Sequence, residues 1–159
     1  MTAPAQGDPL LRLKRPAVIL LVDDDVGDRI LIREALEGNP IPKRIFMVGD
    51  GEEALEYLYG FGRYGGDKAP RPDLILLDLN MPRLGGREVL VKLKSDLAKK
   101  DIPVVAFTTS CRDEDVAYCY LAGVNSYIQK PSSFNRLQAV LEHVERYWLE
   151  ISIRLPRLV

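Results

Sequence analysis

Histidine is almost absent from this chain. The one histidine, His143, sits among charged residues with no Asp, Cys or His partner, so a solvated helix face explains it and a histidine phosphodonor is not expected. Cysteine is scarce too. Cys111 and Cys119 lack metal-type or redox-type spacing and read as free thiols in a reducing, cytoplasmic setting. No apolar run approaches the roughly 20 residues that span a bilayer. The amino terminus lacks the charged and apolar regions of a signal peptide. Neither sign of charge dominates, with 22 basic against 23 acidic residues, so a basic face for nucleic acid is not expected. There are no internal repeats, and 159 residues suit one domain with one sizeable core.

Short apolar runs, by contrast, are plentiful, and each ends on a polar group. Leu74 to Leu77 is four apolar residues in a row, the pattern of a strand buried on both faces, and it stops at Asp78. Asn80 and Pro82 cannot continue a central strand, so Asp78 is placed at the strand's carboxyl end. Ala17 to Val22 is a similar run ending on Asp23, Asp24 and Asp25. Ile45 to Val48, Val104 to Phe107 and Ser126 to Ile128 complete five strands.

Helical patterns alternate with them. One follows Asp28, with Ile30, Leu31, Ile32, Ala35 and Leu36 apolar; a second carries Ala54, Leu55 and Leu58. A third runs from about Arg87 to Lys94 and a fourth from about Asp113 to Ala122. The last starts near Ser132 or Ser133, with a stripe of Leu137, Val140, Leu141, Val144, Trp148 and Ile151. Phe61 to Pro72 reads as a long Gly/Pro/Arg loop.

Strand and helix alternating five times imply a parallel sheet with helices on both faces. The expected fold is an α/β, three-layer, doubly wound five-stranded parallel sheet of flavodoxin-like order. A loose tail is expected over residues 1–16, the domain over 17–150, and an extension or arm over 151–159.

In such a sheet the strand ends gather at one edge. Asp23, Asp24, Asp78, Thr108 and Lys130 therefore share a site. Three carboxylates packed together repel one another, and a hard divalent cation such as Mg2+ relieves the conflict through oxygen ligands. A lysine, a hydroxyl and a metal around one carboxylate suit a tetrahedral, doubly charged group on Asp78, as an aspartyl-phosphate requires.

From about Val18 to Trp148 the chain resembles the receiver domain of two-component response regulators. The matching residues are Val22-Asp23-Asp24, Asp78, Thr108, Tyr127 and Lys130-Pro131, with intervals of 30 positions from Asp78 to Thr108 and 22 from Thr108 to Lys130. The interval from the acidic pair to Asp78 is longer than usual, the excess lying in the Gly/Pro loop. The resemblance implies phosphorylation on Asp78. It implies metal ligation by Asp24, Asp78 and the Asn80 backbone carbonyl, with Asp23 acting through water. Thr108, Tyr127 and Lys130 would form the switch. Asp25 is an added acid outside the direct ligands. Thr109 stands where a small residue is common and bears on access to the phosphate. The Lys130-Pro131 bond resembles one that is cis in the family.

The long insert, Thr108-Thr109-Ser110 and the ending from Tyr147-Trp148 to Leu155-Pro156 resemble the stand-alone regulators paired with bacterial phytochrome histidine kinases. That resemblance implies a bacteriophytochrome-type sensor histidine kinase as partner. No output domain is expected after the receiver, and the message is expected to pass by protein contact. Surplus apolar residues from Trp148 to Val159, with Tyr118 and Tyr120, suggest a homodimer through the fourth and fifth helices and the arm. Two other readings compete. An aspartyl-phosphate hydrolase needs an acid two residues after the nucleophile, where this chain has Asn80. A phosphate-independent adaptor would have no need of the complete residue set.

Overall fold

Runs with no polar residue can be buried only between two layers, and three of the predicted strands, at Ala17, Leu74 and Val104, are so placed, while the two edge strands are half-buried. The structure is a computed structural model and describes residues 15–66 and 69–156. Of the expected tail, only Arg15 and Pro16 fall within the described residues. Strands β1 (Ala17–Val22), β2 (Lys43–Val48), β3 (Leu74–Leu77), β4 (Val104–Thr108) and β5 (Ser126–Gln129) form one sheet. Their order is β2-β1-β3-β4-β5 and every pairing is parallel. The helices are α1 (Val26–Glu37), α2 (Gly51–Tyr59), α3 (Gly86–Ser95), α4 (Asp113–Ala122) and α5 (Phe134–Glu145).

Successive strand residues point to opposite faces, so each strand feeds two cores. Leu20, Val22, Ile75, Leu77, Val104 and Ala106 pack with Ala54, Leu58, Val89, Leu90 and Cys119, under α2, α3 and α4. Ile19, Leu21, Leu74, Leu76, Val105 and Phe107 pack with Ile32, Leu36, Leu137 and Leu141, under α1 and α5. The expected three-layer, doubly wound α/β architecture is therefore present.

Several details differ from the expectation. On α1 only Ile32, Ala35 and Leu36 are buried; Ile30 and Leu31 face outward beside Val26. The stretch expected as a plain loop contains a 3-10 turn, Gly62–Tyr64. Its Tyr64 hydroxyl donates to Glu53 at 2.9 Å, and its ring meets Tyr57 edge-on at 5.2 Å. The insert is thus pinned to α2. The apolar stripe of α5 also changes phase. After Glu145 the chain continues as a π-helical segment, Arg146–Ile151, in which the Ser152 N–H donates to the Tyr147 carbonyl. The wider turn buries Leu149 and leaves Ile151 exposed, so Ile151 is not the core residue that a 3.6-residue period implies. The Lys130-Pro131 bond is trans, since no peptide bond among the described residues is cis; trans is the form ordinarily favoured before proline, by about 0.5–1 kcal/mol.

Beyond the π segment the chain runs extended, and the Arg154 guanidinium donates to the Arg15 carbonyl at 2.9 Å. A cavity of about 690 Å³ opens there, at the edge of the sheet opposite Asp78, between Pro103, Trp148 and Leu155.

The junction of α5 and the π segment is held by a buried ion pair. Lys43 meets the Glu145 carboxylate, which also accepts from the Asn39 side chain, and neither charged group is more than 5 % exposed. Truncating one partner strands the other charge in the interior. Glu145→Ala is expected to cost about 3 kcal/mol of unfolding free energy, read from urea midpoints, while the pair Lys43→Met, Glu145→Leu recovers most of it.

Candidate functional site

The register of the sheet builds the site. Val22 of β1 sits beside both Val48 of β2 and Leu77 of β3, and the Asp78 N–H donates to the Val22 carbonyl at 2.9 Å. The two strands therefore end level, bringing Asp23 and Asp24 next to Asp78. Carboxylate oxygens of these three residues lie within 4.8 Å of one another. Asp23 and Asp78 are buried and Asp24 is exposed.

Lys130 follows β5 and reaches across the edge. Its ammonium donates to Asp23 at 2.5 Å, Asp28 at 2.9 Å and Asp78 at 3.2 Å. Burial works against this ammonium, but the bonds to Asp23 and Asp28 and the charges of Asp23 and Asp78 outweigh it and raise its pKa. Burial pushes the Asp23 carboxyl up, the bonds from Lys130 and the Asp25 N–H pull it back, and the Asp78 charge adds to the rise. Arg29 holds the Asp23 backbone, donating to its carbonyl at 2.6 Å.

The structure thus brings Asp23, Asp24, Asp78 and Lys130 together. Thr108 ends β4 fully buried, and its hydroxyl oxygen has no hydrogen-bond partner. Asn80 contributes its N–H to Asp78 at 3.3 Å, with its side chain exposed. Asp25 does not join the cluster; it caps α1, accepting from the Asp28 N–H at 2.8 Å. Thr109 is exposed, and its carbonyl accepts from Gln129 at 3.2 Å. Pro131 is half-buried beside Lys130. Tyr127 is docked inward, with its ring against the core beneath α3 and α4 and its hydroxyl donating to the Ser110 carbonyl at 2.6 Å.

The sequence reading overlooked Asp28. An acid in the first turn of a helix is ordinarily explained by the helix dipole, and this one also faces Lys130. The available signal was its position five residues after Asp23, in the first turn of the helix that follows the strand end.

The donor set fits a hard divalent cation. Three carboxylates meet one lysine ammonium, the fourth, Asp24, stands beside Asp23 and Asp78 and is open to solvent, and all the candidate ligands are oxygens. Removing the ammonium strengthens that preference. Lys130→Met is expected to bind Mg2+ about ten-fold more tightly, on the order of 1.4 kcal/mol for one nearby charge at the surface. Calorimetric titration with Mg2+ checks this, and unchanged affinity would place the ion away from Lys130.

Comparison with known proteins agrees with this geometry. Residues 19–142 match the family model for the response regulator receiver domain. Response regulator Rcp1 of Synechocystis is 40% identical over 141 residues, covering 89% of this chain and 94% of that protein. The crystal structure of the Mn(2+)-bound form of Rcp1 superposes with a TM-score of 0.82 at 39% identity, over 89% of this chain and 100% of that one. The phosphorylated cyanobacterial phytochrome response regulator RcpA superposes at 0.84 with 41% identity, covering 89% and 100%. A probable methanogenesis regulatory protein, FilR2 of Methanothrix harundinacea, is 40% identical over 140 residues, 88% of each chain. The chain belongs to the response regulator receiver domain family.

Proposed function

We propose that this chain is a phosphorylation-dependent switch that accepts a phosphoryl group on Asp78 from a histidine kinase. One observation carries the reading: a buried carboxylate at a strand end is bonded to a lysine, flanked by two further acids, and neighboured by a strand ending on a buried hydroxyl without a partner. An Asp78 oxygen attacks the phosphorus of a phosphohistidine; the P–N bond breaks, a P–O bond forms, and the imidazole leaves. Lys130 supplies charge to the new phosphoryl group and Thr108 supplies a hydroxyl donor. Asp24, Asp78 and the Asn80 carbonyl would hold Mg2+ with Asp23 behind them, and the bound ion supplies positive charge to the phosphoryl oxygens. The same pocket assists its own phosphorylation and dephosphorylation, with the exposed Thr109 at its mouth.

The partner proposed is a bacteriophytochrome-type kinase, supported by the likeness to Rcp1 and RcpA. The setting proposed is the cytoplasm; no helix among the described residues is long and apolar enough to cross a membrane. The receiver unit is proposed to span residues 17–150, followed by the expected arm, of which 157–159 lie outside the described residues. Exposed Tyr118, Tyr120 and Leu121 on α4, with Tyr147, Ile151 and Ile153 beyond α5, support a homodimer through these elements. Sedimentation showing a monomer at high micromolar concentration, with and without phosphorylation, would remove the dimer. The hydrolase reading lacks an acid where Asn80 stands.

Incubation with labelled acetyl phosphate or a phosphorylated phytochrome kinase tests the assignment. The expected product is an alkali-labile acyl phosphate mapped to Asp78, formed with Mg2+ and abolished by EDTA. Label on any other residue, or uptake unaffected by EDTA, would overturn it.

A further inference from the structure

A second polar cluster lies on the α3–α4 side of the domain, outside the aspartate pocket. Its centre is Asp115, on the first turn of α4 and 2 % exposed. A buried carboxylate is costly unless several donors satisfy it. Asp115 has three. The Ser110 hydroxyl donates at 2.6 Å, the Arg112 guanidinium at 3.1 Å, and the Arg87 guanidinium pairs with the other oxygen. Arg87 also lies over the Tyr118 ring, 5.2 Å from its centroid.

The two ends of this cluster touch the machinery proposed above. Arg87 directly follows Gly86, where a Cβ would stand 2.1 Å from the Asp78 carbonyl oxygen, so the start of α3 abuts the backbone of Asp78. At the other end, Ser110 gives its hydroxyl to Asp115 and its carbonyl to Tyr127. The loop from Thr108 to Ser110 is tied along its length: the Lys130 N–H donates to the Thr108 carbonyl at 2.8 Å and Gln129 donates to that of Thr109. Of these ties, only the Ser110 hydroxyl bond runs to α4, and through Asp115 and Arg87 on to α3.

Resting on the switch reading of Asp78, we propose that Asp115 and Arg87 are positioning residues of that switch. They hold Ser110 where its carbonyl receives the Tyr127 hydroxyl, and so determine how far docking of Tyr127 depends on phosphorylation. None of their contacts passes through the Asp78 side chain. Tyr127 therefore has a docked position with its own support, and phosphorylation acts on a balance already tilted inward. Burial raises the Tyr127 pKa, in keeping with a ring held away from water.

The test uses the full chain carrying 3-fluorotyrosine, followed by fluorine NMR. Tyr127→Phe identifies the Tyr127 resonance among the seven tyrosines. Each protein is measured with Mg2+ alone and with beryllofluoride, a phosphoryl mimic. In the wild type the resonance is expected near its docked position in both conditions. In Asp115→Asn and Arg87→Met the ratio of docked to undocked Tyr127 is expected to fall about ten-fold with Mg2+ alone, the loss of one hydrogen bond to a charged group, and to recover with beryllofluoride. Arg87→Lys retains the charge and restores part of the docked signal. A Tyr127 resonance unmoved in folded Arg87→Met and Ser110→Ala would overturn the proposal, even if Asp115→Asn failed to fold. Labelled acetyl phosphate separates the two readings. If the wild type takes no label on Asp78, the switch reading fails; if the variants take label while Tyr127 stays put, only the present inference fails.

Discussion

Asp78→Asn should take up no phosphoryl label from kinase or acetyl phosphate, and it should do so while folding at least as well as the wild type. The chemistry needs an anionic oxygen as nucleophile, and an amide oxygen at neutral pH is neither charged nor able to form a stable acyl phosphate. The fold does not need that charge. Asp78 sits 3.2 Å from Lys130, but Lys130 keeps Asp23 at 2.5 Å and Asp28 at 2.9 Å after the change. Asparagine has nearly the same shape, and its amide oxygen can still accept the Asn80 N–H. It also removes one of three carboxylates whose oxygens lie within 4.8 Å. The expected outcome is loss of label together with an unfolding midpoint equal to or above that of the wild type. The loss would then be chemical. A variant that lost label because it had unfolded would show instead that the Asp78 charge is structural. Calorimetric titration should show the divalent ion binding more weakly, since one of its proposed ligands has lost its charge.

The strands were legible because burial on both faces leaves a mark that needs no partner to be read. Leu74 to Leu77 and Ala17 to Val22 carry no polar residue, and each ends where the first carboxylate appears. Asp23, Asp78, Thr108 and Lys130 were legible for a related reason: in a parallel sheet, position after a strand fixes position in space. What stayed hidden depends on pairing across long separations. Asp28 and Lys130 stand 102 positions apart, and nothing local in Asp28 distinguishes it from an ordinary first-turn acid. Asp115 likewise looks like one of three acids opening α4, and only the structure shows it to be the buried one. The phase change after Glu145 was hidden because an i to i+5 turn has no sequence period that six residues can reveal. The inward position of Tyr127, expected from the sequence as the switch aromatic, was hidden too, because it depends on Ser110, 17 residues away.

Gly86→Ala sets two rules against each other. Inside an exposed helix, alanine is favoured over glycine by about 1 kcal/mol. Helix propensity alone therefore predicts a more stable protein. Packing predicts the reverse. A Cβ at position 86 would lie 2.1 Å from the Asp78 carbonyl oxygen and 2.9 Å from the Leu79 Cα, and both are backbone atoms that cannot rotate aside. To restore ordinary contact at 3.4 Å, the start of α3 and the end of β3 must part by more than 1 Å. That motion strains the bond from the Gly86 N–H to the Leu79 carbonyl and the seating of the buried Val89 and Leu90. Overpacking of a fixed core commonly costs about 1–3 kcal/mol, and here the obstacle is main chain, so about 4 kcal/mol is expected. Gly51 guards the same loop from the other side, since its Cβ would meet the Leu84 carbonyl oxygen at 2.2 Å. Gly38→Ala is the control: its Cβ finds only contacts of 3.4 Å or longer, so its urea midpoint should stay within the error of the wild type. Any Gly86→Ala protein that does fold should also take label at least ten-fold more slowly, because the displaced atoms belong to Asp78 itself. A midpoint and labelling rate equal to wild type would show that α3 is not held against Asp78, and would remove the contact by which Arg87 joins the aspartate pocket to Ser110.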